Sequence, residues 1–95
     1  MYRRGRRSHG DGLLVIRGAG DPGPPQVGIV ARRTVGNAVR RNRAKRRLRE
    51  AIRLVDLRPA TAYIVVAAPA VVRMPFDELV DRLAGAVAKT EENVR

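Results

Sequence analysis

The chain has 95 residues with 20 Lys and Arg against 9 Asp and Glu, a net charge of +11. That length allows one modest core and no second one, so residues 1–95 are expected to form a single domain, and the charge argues for an anionic partner rather than for any fold. With no cysteine, a disulfide framework and a thiolate metal site are both excluded; the absence does not settle the compartment but fits the cytoplasm, which is the expected one.

Residues 1–12, MYRRGRRSHGDG, are basic and Gly-interrupted, with no apolar run behind them, so they are not a secretory signal. Taken alone they read as a flexible basic arm. Leu13 to Arg17 is a short apolar run with β-branched members, which predicts a buried strand. Gly18 to Pro25, GAGDPGPP, is all turn residues and lacks the lysine and following helix of a phosphate loop, so it is a connection between strands. Val27 to Arg32 is the second strand, expected to form a hairpin with the first.

Gly36 to Arg53 follows, GNAVRRNRAKRRLREAIR. Between Arg32 and Arg53 stand ten bases and one acid, Glu50, half of the chain's positive charge. At 100° per residue Ala44, Leu48, Ala51, Ile52 and Val55 share one face, and Asn42, Arg46, Arg49 and Arg53 line the opposite one, flanked by Arg43 and Arg47. Asn37 is placed to cap the helix and Gly36 to let the chain turn into it; the helix is expected to end near Asp56. An ordinary solvated helix mixes signs, often with acids four residues ahead of bases. This one presents guanidinium groups almost alone, which suits bidentate contacts to phosphate.

Thr61 to Ala68 is the most apolar strand and therefore the expected central one, ended by Pro69. The run Ala62 to Val72 is too short to cross a bilayer, and the basic helix has no bulky apolar anchors, so a membrane role is not expected. A second helix starts near Met74 and Pro75, with Phe76, Leu79, Val80, Leu83 and Val87 at core spacing; residues 90–95 read as a frayed tail. The order β β α β α predicts an α+β fold, a small two-layer sandwich with both helices packed on one sheet and the basic helix between two strands.

Catalytic groups are scarce. The one histidine, His9, has no companion at ligand spacing, and Asp77, Glu78 and Asp81 fit dipole partners of the second helix better than a Mg²⁺ cluster. Neither a catalytic site nor a metal bound by protein side chains is expected. Aromatic residues are limited to Tyr2, Tyr63 and Phe76; Phe76 is expected in the core, and the alternation of Tyr63 with Ile64 leaves its exposure open. Recognition should therefore rest on phosphates and RNA shape more than on base stacking. DNA reading is disfavoured, because ten bases around one helix suit phosphates better than base edges. A ribosomal-type RNA-assembly protein shares the same charge and size and is the alternative reading.

The strand VGIVARR followed by GNAVRRNRAKRRLRE resembles the bacterial ribonuclease P protein component, in which a strand, a Gly-Asn-Ala-Val turn and an Arg-Asn-Arg-x-Lys-Arg-x-x-Arg helix follow one another. TAYIVVAAP and PFDELVDRLAGAVAK resemble that family's last strand and last helix. The resemblance implies an accessory subunit that binds ribonuclease P RNA and assists removal of the 5′ leader from precursor tRNA, with chemistry and Mg²⁺ belonging to the RNA, and a protein that is monomeric outside the complex. It implies RNA contacts by Arg41, Asn42, Arg43, Lys45, Arg46 and Arg49, a turn shaped by Gly36 and Asn37, and Arg33 in the place of a strand-end lysine. Arg40 and Arg53 join this set from the charge pattern itself. It also implies a left-handed crossover around the basic helix, against the usual handedness. A leader-binding cleft would involve Tyr2 and Ile16, the latter where the family often has an aromatic residue. Tyr2 to Gly5 resembles the tail of a first helix whose beginning this chain lacks, so an additional N-terminal helix is expected in the natural protein.

Overall fold

A computed structural model describes the backbone of residues 6–10 and 13–92 and the side chains of residues 13–91. Its elements are β1 (Arg6–Gly10), β2 (Leu13–Ala19), β3 (Gln26–Ala31), α1 (Ala38–Ile52), β4 (Thr61–Ala67) and α2 (Phe76–Glu92), with short 3-10 turns at Arg33–Val35 and Pro69–Val72. The strands form one sheet in the order β1-β2-β4-β3. β4 runs antiparallel to β2 and parallel to β3, so α1 lies in a crossover between two parallel neighbours.

Alternation along each strand sends one set of side chains to the helices. Leu13, Val15, Tyr63, Val65 and Ala67 meet Ala44, Leu48 and Ala51 of α1 and Leu79, Leu83, Ala86 and Val87 of α2 in a single apolar cluster. α1 covers β3 and β4, and α2 covers β1 and β2, both on the same face. The α+β sandwich expected from the sequence is therefore the observed architecture. β4 is central, as its apolar composition predicted, with Thr61, Tyr63, Val65, Val66 and Ala67 all buried.

The expected hairpin is corrected. β2 and β3 are not neighbours, because β4 is inserted between them. The loop after Ala19 crosses the start of β4 to allow this: the Gly20 N–H donates to the Ala60 carbonyl at 3.1 Å, and the Ala60 N–H donates to the Gly23 carbonyl at 2.8 Å. A Cβ at Gly20 would lie 2.8 Å from the Thr61 backbone, so only glycine permits so close a crossing.

Three further expectations change, and one left open is decided. Part of the basic arm, Arg6 to Gly10, is a strand paired antiparallel with β2. Its composition hides it, because an edge strand is specified by its partner as much as by its own residues. Phe76, expected in the core, is 39% exposed at the rim where α2 begins, three positions before Leu79, the first buried residue of that helix. Tyr63 is buried, and its hydroxyl oxygen accepts the Arg58 backbone N–H at 3.0 Å. The expected fraying from residue 90 does not begin there, since α2 continues to Glu92, Thr90 is fully buried and Glu91 pairs with Arg58 at 3.2 Å.

Candidate nucleic-acid interface

The chain enters α1 through a short sequence of special positions. Val35 is buried as an anchor, and Gly36 adopts φ 135° and ψ −155°, a region essentially reserved for glycine. Asn37 has extended backbone, and its Oδ1 accepts the Arg40 N–H at 3.0 Å, the capping contact predicted from the sequence. Arg41 folds back so that its Nη1 donates to the Gly36 carbonyl at 2.9 Å. Turn and helix start are thus tied together by a backbone conformation and two side-chain bonds.

Once started, α1 is oriented by its apolar stripe. Ala44, Leu48 and Ala51 are completely buried, and Ile52 and Val55 pack partly against the same cluster. The opposite face, carrying Asn42, Arg46, Arg49 and Arg53, is exposed, as are the flanking Arg40 and Arg43 and, before the helix, Arg33. Lys45 and Arg41 are half-buried. From Asn42 to Arg53 the helix advances about 16 Å, long enough to reach several phosphates. Among the described residues no base of α1 makes an ion pair, the two ion pairs there being Arg58 with Glu91 and Arg82 with Glu78. The predicted RNA-contacting residues therefore lie together on one rigid surface whose charge the described chain leaves uncompensated.

Arg47 is different. Its Nη1 donates to the Val72 carbonyl at 3.4 Å and its Nη2 to the Met74 carbonyl, while its Nε is buried without a partner among the described residues. It pins α1 to the segment between β4 and α2. Along that seam a groove of about 330 Å³ is lined by Val35, Asn37, Val39, Arg40, Arg43, Pro69, Val72 and Arg73. Arg73 was not singled out by the sequence, where it sits thirty positions from Arg43 with no motif connecting the two. On the other flank Arg49 and Arg53 border a second groove with Val27, Ile29 and Ile52.

Ile16, one of the two residues expected in a leader cleft, is not brought to this surface. Ile16 is 9% exposed on the sheet face away from the helices, opposite Ile64 in register. Tyr2 lies outside the described residues. No group of three or more His, Cys, Asp or Glu able to hold a metal occurs among the described residues, and Glu78 is engaged with Arg82 at 2.9 Å. No helix among them is long and apolar enough to cross a membrane.

Comparison with known proteins follows the same direction. The sequence profile of the family Ribonuclease P matches residues 1–91. A "Ribonuclease P protein component" of Ruegeria pomeroyi is 44% identical over 91 residues, covering 87% of this chain and 73% of that protein. One of Acidothermus cellulolyticus is 41% identical over 101 residues, covering 98% of this chain and 83% of its own length. The solved structure of the RNase P protein from Thermotoga maritima superposes with a TM-score of 0.78 over 93% of this chain and 86% of that one, and at 21% identity that likeness speaks for the fold. These matches favour the ribonuclease P reading over a ribosomal-type assembly protein. The chain belongs to the ribonuclease P protein family, the accessory protein components of an endoribonuclease of tRNA 5′ processing.

Proposed function

We propose that α1 grips the ribonuclease P RNA through Arg40, Arg41, Asn42, Arg43, Lys45, Arg46, Arg49 and Arg53, with Arg33 and Asn37 completing the surface at its entry. The observation that carries this reading is the array of exposed guanidinium groups, unpaired among the described residues, on a capped helix whose other face is locked into the core. Guanidinium groups held at fixed spacing lose little freedom when they meet phosphates, and each contact releases condensed counterions.

In the complex the protein supplies binding and electrostatic screening. Among the described residues no His, Cys, Asp or Glu cluster could hold a metal, and the reading assigns the Mg²⁺ ions and the hydrolytic step to the RNA. Precursor tRNA is the substrate of the assembled particle, and the protein alone is a cytoplasmic monomer, a single domain over residues 1–95. Tyr2 and Ile16 are the proposed contacts to the leader.

Reconstitution with a bacterial ribonuclease P RNA tests this. At low Mg²⁺ the chain should restore 5′-leader removal that the RNA performs poorly alone, and protein free of RNA should not cut. Cleavage by the protein alone, or no effect on the RNA, would contradict the reading.

A further inference from the structure

We propose that the groove between the first turns of α1 and the Pro69–Val72 turn holds one unstacked nucleotide of the RNA. Its phosphate would lie among Arg40, Arg43 and Arg73 and its base against Val39 and Val72. The inference rests on the proposed function and adds to it a residue outside the helix and a pocket for a base.

Three features of the groove point this way. Its guanidinium groups come from two separate elements, α1 and the turn before α2, and none has a hydrogen-bond or ion-pair partner among the described residues. Apolar side chains share its lining: Val39, 76% exposed on an otherwise polar helix surface, with Pro69 and Val72. The place of Arg40 is built in, because a Cβ at Gly36 would come within 2.7 Å of the Arg40 Cδ, so the bare glycine leaves room for that side chain to lie across the turn.

A lone inorganic anion needs no apolar lining, and duplex RNA offers no free base face. A single-stranded nucleotide satisfies both halves of the site, its phosphate by the arginines and its base by aliphatic contact and a guanidinium plane. At about 330 Å³ the groove lies near the lower end of the ~300–1,000 Å³ range in which small organic groups are held. Arg47 keeps the two walls at fixed separation through the Val72 and Met74 carbonyls.

The test uses the intact chain with ribonuclease P RNA. Arg73→Ala should lower affinity and reduce the slope of log affinity against log salt by about 0.7, the loss of one contact to a single strand. Arg58→Ala, which removes the same charge from a residue already paired with Glu91, should leave the slope unchanged. Because the chain has no cysteine of its own, Val39→Cys and the exposed Ala88→Cys can each carry a single photocrosslinker. Val39→Cys should attach to one short run of unpaired nucleotides, and Ala88→Cys should not. An Arg73→Ala protein that binds with the parent slope, or crosslinks from position 39 as scattered as those from position 88, would each overturn the site while leaving the proposed function standing. Failure of the unaltered chain to bind the RNA would overturn both.

Discussion

Arg46 turns its side chain to solvent, whereas Arg47, next in the chain, turns inward to the carbonyls of Val72 and Met74. Helical projection places Arg47 on the flank of the basic stripe but cannot supply its partners, which lie 25 and 27 residues away. Arg47→Ala should therefore destabilise the fold by about 1–3 kcal/mol, since two carbonyls lose a charged donor. The buried, unpartnered Nε offsets part of what the pair of bonds contributes, which favours the lower half of that range. Arg46→Ala should stay within about 0.5 kcal/mol. Urea unfolding of the two variants distinguishes them, and equal midpoints would mean that Arg47 is another solvated base. Gly36→Ala combines a backbone region closed to alanine with a contact of 2.7 Å to Arg40, so a loss of about 1–3 kcal/mol is expected in the same assay.

At the scale of elements, the start and the buried face of α1 were readable because both determinants are local, the apolar period set by helix geometry and the cap by one side chain three residues from its donor, whereas its end was not, since the helix expected to run to near Asp56 stops at Ile52. Replacing Asn37 by Ala should cost about 1 kcal/mol and be measurable as a lower urea midpoint. Leu48 is completely buried between α1 and the sheet, and Leu48→Ala should cost about 2–5 kcal/mol. That is a large share of the ~5–15 kcal/mol typical of a domain, so calorimetry should show a much lowered Tm or no cooperative transition. Strand order was not readable. The hairpin expectation followed chain adjacency, and nothing in GAGDPGPP announces that the loop straddles β4, although its glycines are what allow the crossing at Gly20. β1 was missed for a related reason, since Arg6 to Gly10 gains its extended form from pairing with β2. The exposure of Phe76 shows the same limit at a helix end, where a period of 3.6 tells which face a residue is on but not how far the facing sheet extends.

For the whole molecule, a net charge of +11 sets folding and binding against each other. Like charges concentrated on α1 repel in the free protein, and salt screens them over a Debye length of about 10 Å at 0.1 M. Added salt should therefore raise the Tm of the free chain while weakening its RNA complex, opposite signs from one cause. A Tm that falls as salt is raised at modest concentration would mean that attractive pairs, not the uncompensated stripe, dominate the free protein. The candidate surface was legible because it is a charge pattern along one helix. Arg73 was not, because its proximity to Arg40 and Arg43 exists only after α1 has docked beside the Pro69–Val72 turn. The central claim, that the outward stripe of α1 meets RNA phosphates, is tested most directly by titrating ribonuclease P RNA with the parent chain and with the Arg46→Ala, Arg49→Ala double variant across a range of salt. The slope of log affinity against log salt should become shallower by about 1.4–1.8, the loss of two phosphate contacts, and an unchanged slope would place the stripe in solvent and contradict the account.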